Sequence, residues 1–323
     1  MPNHKGILSI ILAVAAISAL ALAQEQSRHN PYQQLDGERF LQRSAAMPGT
    51  PQPETPAVTF TFGTVDYPGA DAKQAARAIN DRGRIIGLYV APSSNLGYLL
   101  QGTTFKPIVY PGNVVSTVPW GINKSGVVVG TYTPDFATYH GFLLKGNTYT
   151  TVDYPGAVYT AFTGINAKGI IVGRFYVDQQ VYHGFVFNNG VFTQIDFPTA
   201  LTTSVFAINA AGEVVGSYEA PDGTFHGFTL LNGIYTTLDY PGATSTNLQG
   251  INDSGQMTGS YSDDGGAHYH GFLLKDGVFT AFDVPFMSNL LYTAPQGINN
   301  KGQIVGDYYN SDGYHLGFVA KFQ

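Results

Sequence analysis

Short apolar runs alternate along the chain with turns carrying glycine, asparagine and proline, and no stretch supplies a long helical stripe. Runs such as Val127-Val128-Val129 and Ile170-Ile171-Val172 are continuously apolar. That pattern predicts strands covered on both faces rather than strands with one wet side. The runs recur in a fixed order. Ile-Asn-x-x-Gly places its asparagine at Asn80, Asn123, Asn166, Asn209, Asn252 and Asn299, spaced 43, 43, 43, 43 and 47 residues apart. A second glycine follows each (Gly87, Gly130, Gly173, Gly216, Gly259 and Gly306), then an aromatic residue and a loop. After the loop comes His-Gly-Phe at His140, His183, His226 and His270. The first copy has Leu96-Gly97-Tyr98 there, and the last has Leu316-Gly317-Phe318 with His315 displaced by one.

Each unit divides into four strands. Asn-x-x-Gly suits a tight hairpin capped by the asparagine side chain. Asn189-Gly190, Asn232-Gly233 and Asp276-Gly277 predict type I′ turns between the third and fourth strands. Tyr154-Pro155-Gly156 and its relatives predict type II turns into the next unit. Pro198-Thr199 and Pro285-Phe286 lack that glycine and are expected to turn differently.

The last unit stops after its third strand, at Phe322-Gln323, while a spare fourth strand with the ending Asp66-Tyr67-Pro68-Gly69 precedes the first. Two incomplete ends that sum to one unit are what ring closure requires, because closure removes exposed sheet edges. The expectation is an all-β, six-bladed β-propeller over residues 57–323, its last blade closed by the N-terminal strand.

Ahead of it, Lys5, the apolar run Gly6 to Leu20 and Ala21-Leu22-Ala23 before Gln24 predict a signal peptide over residues 1–23. Residues 24–56, rich in Gln, Pro, Arg and Glu, predict a flexible leader. The mature chain is then secreted or periplasmic, with no membrane span after signal cleavage, and is expected to be a monomer.

Composition agrees with a β fold: 39 Gly, 21 Tyr, 21 Phe and only 12% charged residues. Zero cysteines exclude disulfides, thiolate metal sites and a cysteine nucleophile. A formal charge of -6 without a basic patch argues against nucleic acid as a partner.

The consensus Ile-Asn-x-x-Gly-x-Ile-Val-Gly-x-Tyr, a loop, His-Gly-Phe-Leu-Leu, then Asp-Tyr-Pro-Gly resembles the bacterial extracellular HAF repeat proteins, with His-Gly-Phe where they have His-Ala-Phe. The likeness covers residues 59–323. It implies export and a repeat β fold, and brings no catalytic residues.

The repeated histidines, asparagines and the aspartates Asp66, Asp153, Asp196, Asp239 and Asp283 are read as builders of the blade. Each histidine is expected to bond a backbone carbonyl, and each aspartate to cap its turn. Trp120, the only tryptophan, is read as core, and the connector Phe286 to Tyr292 as packing under the closing blade.

The variable loops before His-Gly-Phe are the functional candidates. They carry Asp135, Tyr139, Asp178, Tyr182, Asp222, Phe225, Asp264, His268, Tyr269, His270, Asp312 and Tyr314 on one expected face. Aromatic platforms with short polar neighbours suit a sugar ring or a protein surface. His268 and His270 also have acceptable spacing for a divalent metal, although no cofactor is otherwise expected. No Gly-x-Ser-x-Gly elbow, phosphate loop or His-Glu-x-x-His is present. The expected function is a non-enzymatic propeller binding an extracellular glycan or protein. A polysaccharide- or ester-active hydrolase or lyase and a structural envelope repeat protein are the alternatives.

Overall fold

The computed structural model describes residues 58–70, 73–91, 94–178 and 181–323, and within them every regular element is a strand. The expected signal peptide and leader lie outside the described residues. The third repeat shows the unit: strands Tyr159–Ile165, Ile171–Tyr176, His183–Asn188 and Val191–Ile195 form an antiparallel meander in chain order. The strand Phe60–Val65 pairs antiparallel with His315–Phe322 and completes the sixth repeat, as the unmatched ends required.

The arrangement is that of a β-propeller. Six separate four-stranded sheets were expected, and four stand as such. The first two repeats share one eight-stranded sheet, joined by a single parallel pair between Asn95 and Ser116. The corresponding places at other seams hold isolated parallel bridges, Tyr139 to Tyr159, Tyr269 to Tyr292 and Lys73 to His315. The merged sheet arises because the strand Ser94–Gln101 begins early enough to include Asn95.

The first strand of each repeat is innermost. Each touches the first strand of the next, and Leu290–Ile298 returns to touch Gln74–Ile79. Small residues make this approach possible. A Cβ on Gly164 would sit 3.0 Å from the Ala207 Cα, and one on Gly297 3.1 Å from the Ala78 Cα. At that range the neighbouring backbone must give way, so these two positions favour glycine, and the residues they face are the small Ala207 and Ala78.

A belt of asparagines ties the strands together at their C-terminal ends. All six are buried. Asn166 Oδ1 accepts the N–H groups of Lys168 and Ile170, closing its own hairpin, while Nδ2 donates to the carbonyl of Asn209 at 3.0 Å. The same link runs from Asn80 to Asn123, Asn123 to Asn166, Asn252 to Asn299, and from Asn299 back to Asn80 at 3.0 Å. Asn209 departs, its Nδ2 reaching Glu213 Oε2 at 3.4 Å.

The core lies between neighbouring repeats. Val172 of the third repeat packs with Val205, Ile208 and Phe228 of the fourth, and Val305 of the sixth with Ala76 and Tyr98 of the first. The phenylalanine of His-Gly-Phe (Phe142, Phe185, Phe228, Phe272) is fully buried. It lies against the second glycine of the repeat: a Cβ on Gly130 would stand 2.7 Å from the Phe142 ring.

On the outside the histidine and aspartate series find each other. His140, His183, His226 and His270 present Nδ1 to Asp153, Asp196, Asp239 and Asp283 at 2.8–2.9 Å. The expected carbonyl partner is therefore replaced by the carboxylate that follows the fourth strand, and these aspartates tie the third strand to the chain leaving the fourth. Tyr154, next to Asp153, stacks on Phe175 of the following repeat with centroids 3.5 Å apart. The connector after the fifth repeat packs as expected, with Met287 and Leu290 against the core of the closing unit.

The turns show one departure from expectation. Gly156 has φ of 78°, as a type II turn demands, and Thr199 takes φ of 68° at the equivalent place. The closing bonds match, Ala200 N–H to Phe197 O and Ala157 N–H to Tyr154 O, both 3.1 Å. The repeat thus imposes its turn on a β-branched residue. Phe286 is not among the positive-φ residues, so that corner does turn differently.

Two stability outcomes are expected. Thr199→Gly should raise stability by ~0.5–1 kcal/mol, because the strain relieved (about 1–2 kcal/mol) exceeds the entropy that glycine adds to the unfolded chain (about 0.5–1 kcal/mol). Urea denaturation checks it, and an unchanged or lower midpoint refutes it. Asn299→Ala should destabilise more than Asn209→Ala, by roughly 1 kcal/mol, since only Asn299 bridges to its neighbour. Equal losses would deny the belt its role.

Candidate functional site

The six innermost strands surround a central cavity, the channel of the ring. Its walls include Trp120, Thr163, Phe206, Gln249 and Gln296 at repeat-equivalent positions, around a cavity of about 90 Å³. The glycine and alanine belt and the isoleucines before each asparagine complete the lining. Toward the opposite ends of the same strands lie two polar clusters, and neither follows the repeat.

The first cluster gathers tyrosines from two adjoining repeats. Tyr159 meets Tyr139, Tyr176 and Tyr182 at centroid distances of 5.2, 5.0 and 5.5 Å. Arg174 lies over Tyr182 at 4.8 Å and Phe206 at 5.7 Å, and donates from Nη1 to Ser204 Oγ at 3.4 Å. Burial, then the neighbouring phenols Tyr159 and Tyr176, push the Tyr139 hydroxyl up to about 12. Burial likewise pushes Tyr182 well up. These phenols stay neutral at physiological pH and can offer both a hydrogen bond and a ring face.

The second cluster surrounds Asp307. Its carboxylate accepts from Tyr292 Oη (3.0 Å), Gln296 Nε2 (3.2 Å) and Arg77 Nη1 (3.4 Å), and lies 2.6 Å from His315 Nε2. Burial raises the Asp307 pKa, but Arg77 and His315 outweigh it and hold the group below its ordinary 3.8. On the far side Arg77 stacks over Trp120 at 4.8 Å.

Several donors here have no partner. Arg77 Nε, Trp120 Nε1, Thr131 Oγ1, Arg174 Nε and Ser217 Oγ are buried without a hydrogen bond among the described residues. All five belong to first or second strands. A buried unpaired N–H or O–H costs about 1–3 kcal/mol, so atoms that remain so call for water or a ligand.

The loop residues singled out from sequence divide into three groups. Tyr139 and Tyr182 join the tyrosine cluster, half-buried at the seams, and Tyr269 is buried at another seam. Phe225 opens a third strand, half-buried, and pairs with Glu219. Tyr314 is exposed; its backbone N–H closes its own loop on Asn310 Oδ1. The aspartates are exposed and separate: Asp135, Asp222 and Asp264 each accept N–H groups of their own loops. The Asp178 carbonyl accepts from Val181, and the Asp312 carboxylate from Asn310. They do not form a shared platform.

His268 and His270 do not converge either. His268 takes Asp264 at 2.6 Å and His270 takes Asp283 at 2.8 Å. Among the described residues no group of three or more His, Asp or Glu is placed to hold a metal.

Arg77, Tyr159, Arg174, Tyr176 and Asp307 are not marked by the repeat motifs, and Tyr292, expected to pack under the closing blade with its connector, meets Asp307 instead. A signal existed: the residue after the second glycine reads Leu88, Thr131, Arg174, Ser217, Ser260, Asp307, so two charges interrupt a mostly small hydroxyl series.

No family model and no curated protein matches the chain. Among solved structures the class is that of propellers. The SapL1 lectin in complex with α-methyl fucoside matches with 12% identity, 75% of this chain, 90% of that chain and a TM-score of 0.52. The Aleuria aurantia lectin in complex with α-methyl-L-fucoside matches with 10% identity, 78% and 94% coverage and a TM-score of 0.50. A streptogramin B lyase structure has 12% identity, 82% and 98% coverage and a TM-score of 0.49. Likeness at these identities shows the fold alone.

The Asp307 network yields a pH outcome. A carboxylate with a folded pKa below 3.8 stabilises the fold above that value, and the contribution is lost as pH falls below it, through the folded pKa. Asp307→Asn should lower stability at pH 7 by about 3–5 kcal/mol, by leaving Arg77 buried without its counter-ion. It should also flatten the acid limb below about pH 4. Thermal unfolding between pH 2 and 7 checks both. A variant whose melting temperature tracks the native protein at every pH would refute the assignment.

Proposed function

We propose that the chain is an exported, non-enzymatic six-bladed propeller that binds an extracellular glycan at the tyrosine-lined end of its channel. The six-blade count treats the eight-stranded sheet as two blades that touch through one residue pair. It is supported by six innermost strands in cyclic contact. The resemblance to extracellular HAF repeat proteins and the expected signal over residues 1–23 support export.

The observation that carries the glycan reading is the juxtaposition of the four tyrosine rings with buried, unpartnered Arg174 Nε. A sugar presents C–H faces for the rings and hydroxyl oxygens for the guanidinium N–H. The lectin likeness adds a fold on which such binding occurs, without transferring a sugar or a site. A second reading, an enzyme acting on polysaccharide or ester, draws on the His315–Asp307–Tyr292 cluster, which among the described residues appears in the sixth repeat alone.

The test is retention of residues 24–323 on a glycan array, with and without chelator, followed by titration of the best glycan. Tyr176→Ala and Tyr182→Ala should each weaken binding tenfold or more, while Asp264→Ala and His268→Ala leave it unchanged. Chelator should have no effect. Full affinity in both tyrosine variants would move the site elsewhere, and turnover of a bound glycan lost in His315→Ala would favour the enzyme.

A further inference from the structure

The Arg77–Trp120 pair has a composition that narrows what can enter the channel. Arg77 is almost completely buried, and its guanidinium stacks 4.8 Å over the indole of Trp120, which lines the cavity. Arg77 Nε and Trp120 Nε1 both lack an acceptor. The charge of Arg77 is already met by Asp307 at 3.4 Å. The pair therefore offers two N–H donors and no uncompensated positive charge.

Three ligand chemistries can be compared at such a place. A second carboxylate would lie near Asp307 and suffer like-charge repulsion. A hydroxyl could accept, but it would bring a proton that needs an acceptor of its own. A neutral carbonyl oxygen accepts from two N–H groups and brings no proton. The space of about 90 Å³ has room for several waters or one small group, and Phe206, Ala78 and Ala207 give part of its wall an apolar surface. A carbonyl bearing a methyl satisfies the donors and the wall together.

We propose that the channel takes the acetamido group of an N-acetylated sugar, its carbonyl oxygen accepting from Trp120 Nε1 and Arg77 Nε and its methyl lying on the apolar wall. The proposal rests on the glycan reading above and assigns a deeper subsite to it. Phe206 lies beneath Arg174 and also lines the cavity, so the tyrosine cluster and this subsite share a wall.

Trp120, the only tryptophan in the chain, reports on the subsite directly. N,N′-diacetylchitobiose and cellobiose differ only in the group at C2 and are the probes. Calorimetric titration of residues 24–323 should give at least tenfold tighter binding of the acetylated disaccharide, with a change in tryptophan emission that cellobiose does not produce. Trp120→Phe keeps a ring over Arg77 and removes the N–H, and it should erase most of that preference while the melting temperature stays within a few degrees. Equal affinity for the two disaccharides overturns the subsite and leaves the glycan reading standing. So does a preference that survives Trp120→Phe, or retention of other glycans with no response to either probe. Failure to retain any glycan on the array overturns both.

Discussion

Everything in this structure depends on how closely six innermost strands approach a common axis. Gly164 and Gly297 admit the neighbouring backbone at about the closest distance a chain allows. The belt asparagines then convert that proximity into hydrogen bonds. Each carboxamide spends its oxygen on its own hairpin, and in five of the six its nitrogen reaches the next repeat. A buried carbonyl at a hairpin corner would otherwise lack a donor. The bond from Asn299 to Asn80 joins residues far apart in sequence and closes the belt. The strand Phe60–Val65 completes the sixth repeat on its outer side. Stability without disulfides follows from this double closure and from the aromatic layers between repeats.

The scaffold is regular on its outside and irregular within. Histidine–aspartate pairs and stacked aromatic rings recur repeat after repeat on the outer strands, where they hold strands and seams in register. The side chains around the inner strands vary instead. One side gathers tyrosines about Arg174, another a carboxylate network about Asp307. A ring of similar units cannot favour one direction for a ligand. Unequal side chains at equivalent positions can, and Arg174 and Asp307 stand where other repeats carry Thr131, Ser217 and Ser260.

Legibility followed the range of the interactions. Hairpins are local, and Asn189-Gly190 takes positive φ at both residues as its sequence predicts. The period and the unmatched ends are enough to announce closure. Thr199 shows the opposite case: the local signal said one thing, and packing by the repeat imposed another. The histidines meet a carboxylate rather than the expected carbonyl, because Asp153 lies 13 residues from His140 and meets it only across strands. Tyr139 and Tyr182 looked like loop platforms, yet their backbones bridge seams, which requires knowing which strand lies alongside.

The sequence by itself determined the all-β class, the period, the Asn-Gly and Asp-Gly hairpin turns and the origin of the closing strand, since these depend on residue order and local conformational preference. Only the tertiary structure decided that the first two repeats share a sheet, that Arg77 faces Asp307 across 230 residues, and that Tyr139 and Tyr176 converge on Tyr159. The reason is geometric. A channel is made of positions far apart in the chain, and which side chains share it is fixed by the angle at which neighbouring sheets pack, a quantity no single repeat encodes.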